Sequence, residues 1–277
     1  MTRVLVTGAT GLLGSELVNA LRAAGDDPIG IGRAEIDLER PTTMAPIADA
    51  RPDLIVNAAA WTDVDGCALD PDRAMRINAD GAGRIAAEAA RIGARVMQIS
   101  TNEVFPGEPG RQYDEDDVPS PINPYGASKL AGERAVAAAA DAYLIIRTAW
   151  VFGPTAGFPA RITAAAHRAR ATGAALRVVD DEWGNPTPVT QLARAITLLI
   201  ARQHSGNLPH VLHLAGEPPT TRWAWAAQVL AHMDGPPPMS RISQADYQRP
   251  SNVPPHAVLN MRLSRDLGLP PIRCTTS

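Results

Sequence analysis

Residues 4–14 read V-L-V-T-G-A-T-G-L-L-G, an aliphatic run that stops in three glycines, Gly8, Gly11 and Gly14. Such glycines allow a tight turn, a close approach of backbone N–H groups to an anion, and close packing of the helix that follows. That helix is written in the next residues, G-S-E-L-V-N-A-L-R-A-A-G, where Leu17, Leu21 and the intervening alanines make one apolar stripe and Gly25 ends it. Three glycines alone are a weak signal. With a strand before them and a helix after them they read as a dinucleotide-binding turn, the pyrophosphate lying at the positive helix N-terminus beside Leu12 and Leu13.

Working outward, short β-branched runs alternate with alanine-rich stretches of helical period: PIGIG, TTMAPIADA, DLIVNAAA, RAMRINADGAGRIAAEAARIG, ARVMQIST, ASKLAGERAVAAAA and AYLIIRTAWVFG. This alternation predicts an α/β fold, a doubly wound parallel sheet of Rossmann type with helices on both faces. The nearly unbroken apolar runs DLIVN and YLIIR suit strands covered on both sides. After Gly153 the pattern loosens, prolines gather, and DGPPPMS reads as a loop. The expected organisation is a dinucleotide-binding domain over 1–153, to which later segments can return, and a smaller C-terminal substrate lobe formed mainly from 154–277.

Composition narrows the function classes. The chain has 277 residues, 45% hydrophobic and 20% charged, with a net charge of -3, which gives no electrostatic footprint for nucleic acid or an anionic membrane. Small molecules are the expected partners. Cys67 and Cys274 lie far apart and outside any metal-ligand spacing, so two free thiols in a reducing cytoplasm are expected, with no metal. The N-terminal apolar run breaks at Thr7-Gly8, too early for a secretory signal, and no stretch approaches the length of a membrane span.

The second strand ends in Gly30-Ile31-Gly32-Arg33, without the acid that normally takes the ribose 2′-hydroxyl about 20 residues beyond the glycines. Arg33 suits a 2′-phosphate, which favours NADPH while leaving NADH possible; the alternative is a solvated loop arginine. Asp37 and Leu38 after that turn, and Asn57, Ala58 and Ala59 after the third strand, are candidates for the adenine and its ribose.

In NPYGASKLAGE, Tyr125 and Lys129 stand one helical turn apart on the same face. An ammonium near a phenol lowers the phenol pKa from about 10 and makes it a usable proton donor and acceptor. With the glycine turn upstream and Ser100-Thr101 at the end of an intervening strand, this pair resembles the extended short-chain dehydrogenase/reductases. The resemblance implies a catalytic set of Asn78, Thr101, Tyr125 and Lys129. The phrases VNAAAWTDVDGCALDP, RINADGAGRIAAEA, YGASKLAGE, RTAWVFG, VVDDEWGNPTPV and YQRPSNVPPHAVLN are similar to the dTDP-4-dehydrorhamnose reductases and related NDP-4-keto-6-deoxysugar reductases. By that resemblance the substrate is a nucleoside-diphosphate sugar whose C4 keto group is reduced, Thr62, Val64 and Trp150 line the sugar pocket, and a homodimer is possible. The alternative for Trp150 is a core aromatic on a strand. Arg161, Arg168 and Arg249 are candidates for the two phosphates, and the acids Asp180, Asp181 and Glu182 read as a solvated turn.

The stretch ISTNEVF departs from the reductases, which read Ser-Thr-Asp-Tyr-Val-Phe. Glu103 instead resembles the sugar-nucleotide 4,6-dehydratases, whose Thr-Asp-Glu pairs an acid with a base. Asn102 has no titratable proton, so half of that elimination machinery is missing. Glu103 is therefore expected to bind a sugar hydroxyl or tune the pocket. A dehydratase or epimerase with tightly held NAD, and a non-catalytic regulatory subunit of the same fold, are the other readings; an intact Thr101, Tyr125 and Lys129 speaks against the second.

Overall fold

The computed structural model describes residues 2–40, 44–202 and 209–274. It opens with β1 (Val4–Thr7), α1 (Leu12–Ala23), β2 (Ile29–Ile31) and β3 (Leu54–Asn57). There follow α2 (Gly81–Ile92), β4 (Arg95–Thr101), α3 (Pro124–Ala139) and β5 (Tyr143–Thr148). Later come α4 (Phe158–Thr172), α5 (Val189–Arg202), β6 (Val211–His213) and α6 (Arg222–Leu230). Six strands form one parallel sheet in the order β6-β5-β4-β3-β1-β2. The order reverses between β1 and β3, and the crevice beyond their C-terminal ends is where such sheets receive ligands.

Alternation within β1 sorts its side chains to two faces. Val4 and Val6 join a core with Leu17, Leu21, Met97, Ile146, Leu192, Ile196, Leu212 and Ile272, while Leu5 joins Ile55, Ile85, Val96 and Val136 on the other side. The first of these cores draws on both ends of the chain. A smaller separate core, Ile162, Ala166, Leu176, Val178, Ala226 and Leu230, lies among α4, α6 and the strand Leu176–Val179. The predicted doubly wound sheet is present.

Three local expectations change. DGPPPMS is not wholly loop: Pro238 O accepts Leu176 N at 2.8 Å, and Met239–Ile242 pairs in parallel with Leu176–Val179, because the prolines stop just short of the residues whose N–H groups the ladder needs. The run AYLIIRTAWVFG is two strands, β5 and Val151–Phe152, broken at Trp150, whose φ is +44. The helix read in TTMAPIADA is Ala45–Ala50, while Thr42 and Thr43 lie outside the described residues.

One buried ion pair fastens α3 to the sheet. Arg147 on β5 bonds Glu133 on α3 through Nε at 3.0 Å and Nη2 at 2.8 Å, and Ser100 on β4 donates to the same carboxylate. Both charged side chains are under a tenth exposed. Removing one partner of such a pair leaves an uncompensated buried charge. Arg147→Leu is expected to cost about 3–5 kcal/mol in urea denaturation, with the double variant Arg147→Leu, Glu133→Leu recovering most of it.

Candidate active site

The glycine turn is built by contact. A Cβ on Gly14 would lie 2.1 Å from Gly8 O, so only glycine lets α1 start this close to the turn. Gly11 caps α1 with no side-chain hydrogen bond, and the first turn carries no acid. The N-terminal N–H groups are thus left for an anion. Thr7, Gly8, Gly11, Arg33, Asp37, Leu38, Ala58, Ala59 and Trp61 are among the residues lining a cavity of about 290 Å³ at the switch point. Beyond it, sharing Gly11, Ala58 and Ala60, opens a second cavity of about 460 Å³. The predicted Leu12, Leu13, Gly14, Thr62, Val64, Thr101, Glu103, Tyr125, Lys129 and Trp150 all line this second space. One continuous cleft therefore runs from Arg33 to Trp150. A groove with bare N–H groups at its middle has the form of a dinucleotide site, with Arg33 toward one end and Tyr125 toward the other.

At the Arg33 end the sequence reading missed several groups. Glu35 lies three residues past Gly32 and accepts its N–H at 2.8 Å, so an acid does follow β2, used to close the turn. Arg33 is exposed and pairs with Glu39 at 3.3 Å. Arg73 holds Glu39 through two bonds of 3.1 Å and lies 4.7 Å over the Trp61 ring. Two arginines thus converge on the one Glu39 carboxylate. Asp37 turns its carboxylate to Glu39 N at 3.0 Å and to Arg40. Asn57 is 1% exposed and does not face the cleft: it accepts from Thr7 Oγ1 at 2.6 Å and from Ala59 N, and donates to Gln98. Its amide joins the ends of β1, β3 and β4, which accounts for an asparagine at that strand end without adenine contact.

The reacting end is carried by α3. Asn123 caps it, its Oδ1 accepting Gly126 N at 2.7 Å, and Pro124 occupies the first helical position. A glycine belongs at 126 because a Cβ there would sit 2.1 Å from Glu103 O. The helix start is thereby pressed onto the turn Asn102–Val104 that follows β4. Thr101 hydrogen-bonds the Tyr125 phenol, and Lys129 Nζ donates to Ile99 O at 2.7 Å. Thr148, opposite Thr101 in the ladder, lines the same cleft, and its hydroxyl has no hydrogen-bond partner among the described residues.

Burial governs the charges. It pushes the Lys129 ammonium down to about 8, against the opposing pull of Glu133. It pushes the Tyr125 phenol up, and the neighbouring Glu103 carboxylate pushes it further, while the Thr101 hydrogen bond opposes both. The expected lowering of the phenol by Lys129 is therefore overturned: the ammonium is turned to Ile99 O and desolvation dominates. Tyr125 is held as a neutral phenol, which is the form that donates a proton.

Asn78 differs from expectation too. It lies in a π-helical segment, Met75–Asp80, and its amide is used in place: Oδ1 accepts Trp61 N at 2.8 Å and Nδ2 donates to Trp61 O and Ser128 Oγ. These bonds fix the floor under Trp61 and α3.

At the substrate end, the Trp150 indole is not a bare platform. The Arg222 guanidinium lies 3.5 Å from its ring centroid, Trp225 stacks parallel to it at 5.7 Å, and a Cβ on Gly184 would meet its edge. Arg222, which the sequence reading missed, also pairs with Glu182 at 2.9 Å and lines the cleft together with Arg161. Arg168 is exposed and outside the cleft lining, and Arg249 is tied to Asp65 at 2.9 Å. The acids expected as solvated are engaged: Asp180 with Arg241 and Thr221, Asp181 with Gln244 N, Glu182 with Arg222. Arg222 had no spacing signal because it reaches the cleft only through the packing of α6.

Residues 1–274 match the family described as RmlD substrate binding domain. A dTDP-4-dehydrorhamnose reductase of Streptomyces griseus is 36% identical over 275 residues, 98% of this chain and 90% of that protein. Among solved structures, dTDP-4-dehydrorhamnose reductase from Bacillus anthracis in complex with NADP superposes with a TM-score of 0.89 at 28% identity, covering 98% of this chain and 95% of that one. The Thermus thermophilus UDP-glucose 4-epimerase complex with NAD, at 20% identity and a TM-score of 0.82, shares the fold. A family match across nearly the whole chain and a relative above one-third identity over almost its full length agree, and the chain belongs to the RmlD substrate binding domain family.

Proposed function

We propose that this chain is an NADPH-dependent reductase of the C4 keto group of a nucleoside-diphosphate 4-keto-6-deoxyhexose, dTDP-4-dehydrorhamnose being the simplest substrate. The observation that carries this reading is the hydrogen-bonded pair Thr101 and Tyr125, both buried and lining the cavity that adjoins the glycine-turn cleft. Reduced nicotinamide, when bound, supplies the hydride. The two hydroxyls converge on one oxygen, and Tyr125, neutral because it is desolvated, protonates that oxygen as charge develops on it. Lys129, one turn along the helix, holds the ribose beside the phenol. Donors arranged in advance around a developing oxyanion typically contribute a few kcal/mol each.

Arg161 and Arg222 are the arginines of the substrate cavity and suit the diphosphate, since guanidinium forks match phosphate oxygens. Elimination of water is disfavoured at the position where an acid would be needed. Asn102 is 4% exposed and donates to Ala257 O at 2.9 Å, so that position holds a carboxamide used for structure.

Tyr125→Phe is expected to lower kcat for the 4-keto sugar by about 10²–10⁴-fold while NADPH affinity stays within about twofold, measured by stopped-flow oxidation and fluorescence titration. Turnover equal to wild type would remove Tyr125 from the chemistry. Arg33→Ala is expected to shift the NADPH/NADH preference in kcat/KM by about ten- to a hundredfold, the equivalent of one charge-assisted bond of about 1.5–3 kcal/mol. An unchanged ratio would assign the 2′-phosphate elsewhere.

A further inference from the structure

Glu103 is built into the site more firmly than a chance replacement requires. Its Oε2 accepts Asn123 Nδ2 at 2.7 Å, and that same Asn123 caps the helix carrying Tyr125 through Oδ1. Asn123 also donates to Asn252 O at 2.8 Å, so the clamp is anchored to the C-terminal half. On the other side, Glu103 N donates to Thr101 Oγ1 at 3.2 Å. The carboxylate is thus fixed relative to both hydroxyls that hold the substrate's carbonyl oxygen. Its second oxygen, Oε1, has no hydrogen-bond partner among the described residues, and Glu103 lines the cavity.

A ketone seated on Thr101 and Tyr125 presents the C–H bonds of its two neighbouring carbons within one bond of the held carbonyl. Those hydrogens are acidified, because the electron pair left on carbon delocalises onto an oxygen that already faces two donors. From these constraints, and resting on the reductase reading above, we propose that Glu103 is a carbon base, giving this protein a second activity: exchange of a proton on the carbon next to the C4 ketone, with configuration retained because Glu103 takes and returns the proton on one face. Glu103 Oε1 takes the proton from carbon, the C–H pair forms the C=C bond of the enol, and the carbonyl oxygen takes the proton of Tyr125. Return of a proton from Glu103 to carbon and from the enol to Tyr125 closes the cycle, with no change of oxidation state and no co-reactant. Burial raises this carboxyl to about 7, countered by the Asn123 bond, with Glu182 raising it and Arg249 and Arg222 lowering it, so near neutral pH it serves as both acceptor and donor. An enol formed toward C5 of a 6-deoxy sugar has no hydroxyl on C6 to lose, so it reverts to ketone.

The test uses the full-length protein and dTDP-4-dehydrorhamnose in D₂O without NADPH, followed by proton NMR of the ring positions flanking C4. Deuterium is expected to enter one of them well above the buffer rate, and Glu103→Gln is expected to slow this by about 10²–10⁴-fold while NADPH affinity, measured by fluorescence as a check on folding, is retained. If the wild type reduces the sugar with NADPH yet exchanges no carbon-bound proton, the carbon-base role is wrong and the reductase reading stands. Exchange at wild-type rates in Glu103→Gln likewise overturns it. If neither reduction nor exchange occurs, both readings fall.

Discussion

The buried carboxylate of Glu133 is the point on which the active site hangs. It takes two bonds from Arg147 and one from Ser100, so α3 is fixed in rotation and in register against β4 and β5. Tyr125 and Lys129 lie on that helix, and Thr101 is the residue after Ser100. A charge pair in the interior is a poor source of net stability compared with apolar packing. Its value here is geometric: it leaves one way for the helix to sit, and a reacting phenol misplaced by an ångström loses much of its rate.

Desolvation then decides the protonation states. The same burial acts on a phenol, an ammonium and a carboxyl, and moves each toward its neutral form. The result is a phenol held neutral beside an ammonium and a carboxyl that both titrate close to neutral pH. The pairing of Lys129 with Ile99 O explains why adjacency in the helix did not translate into a lowered phenol.

The parallel sheet, the glycine turn and the Tyr125–Lys129 helix were legible because each rests on local sequence: β-branched runs, glycines at a fixed offset, one turn of helix. Thr62, Val64 and Glu103 were legible through resemblance, and they line the cleft. The internal bonds of Asn57 and Asn78 were not legible, because an amide at a strand end or on a helix serves as well for internal bonding as for a ligand, and sequence does not show which way it points. Arg222, Arg73 and Glu35 were invisible for a different reason. Their roles arise from what packs opposite them: the Trp150 ring, Glu39, and the N–H of Gly32. The strand Met239–Ile242 went unread because three prolines stand in front of it.

The outer position of β6 bears on how the chain is made. β5 finds its second neighbour only when residues 211–213 are in place, and α5, which covers the α1 face of the sheet, ends only nine residues earlier. A chain emerging in order from the ribosome therefore carries the finished glycine turn and the Tyr125 helix for some sixty residues before the edge of β5 is sealed. Until then the open edge and the apolar side chains of Leu144 and Ile146 are available to any passing strand, which makes the interval between β5 and β6 the part of synthesis where this protein has most need of protection from its own kind.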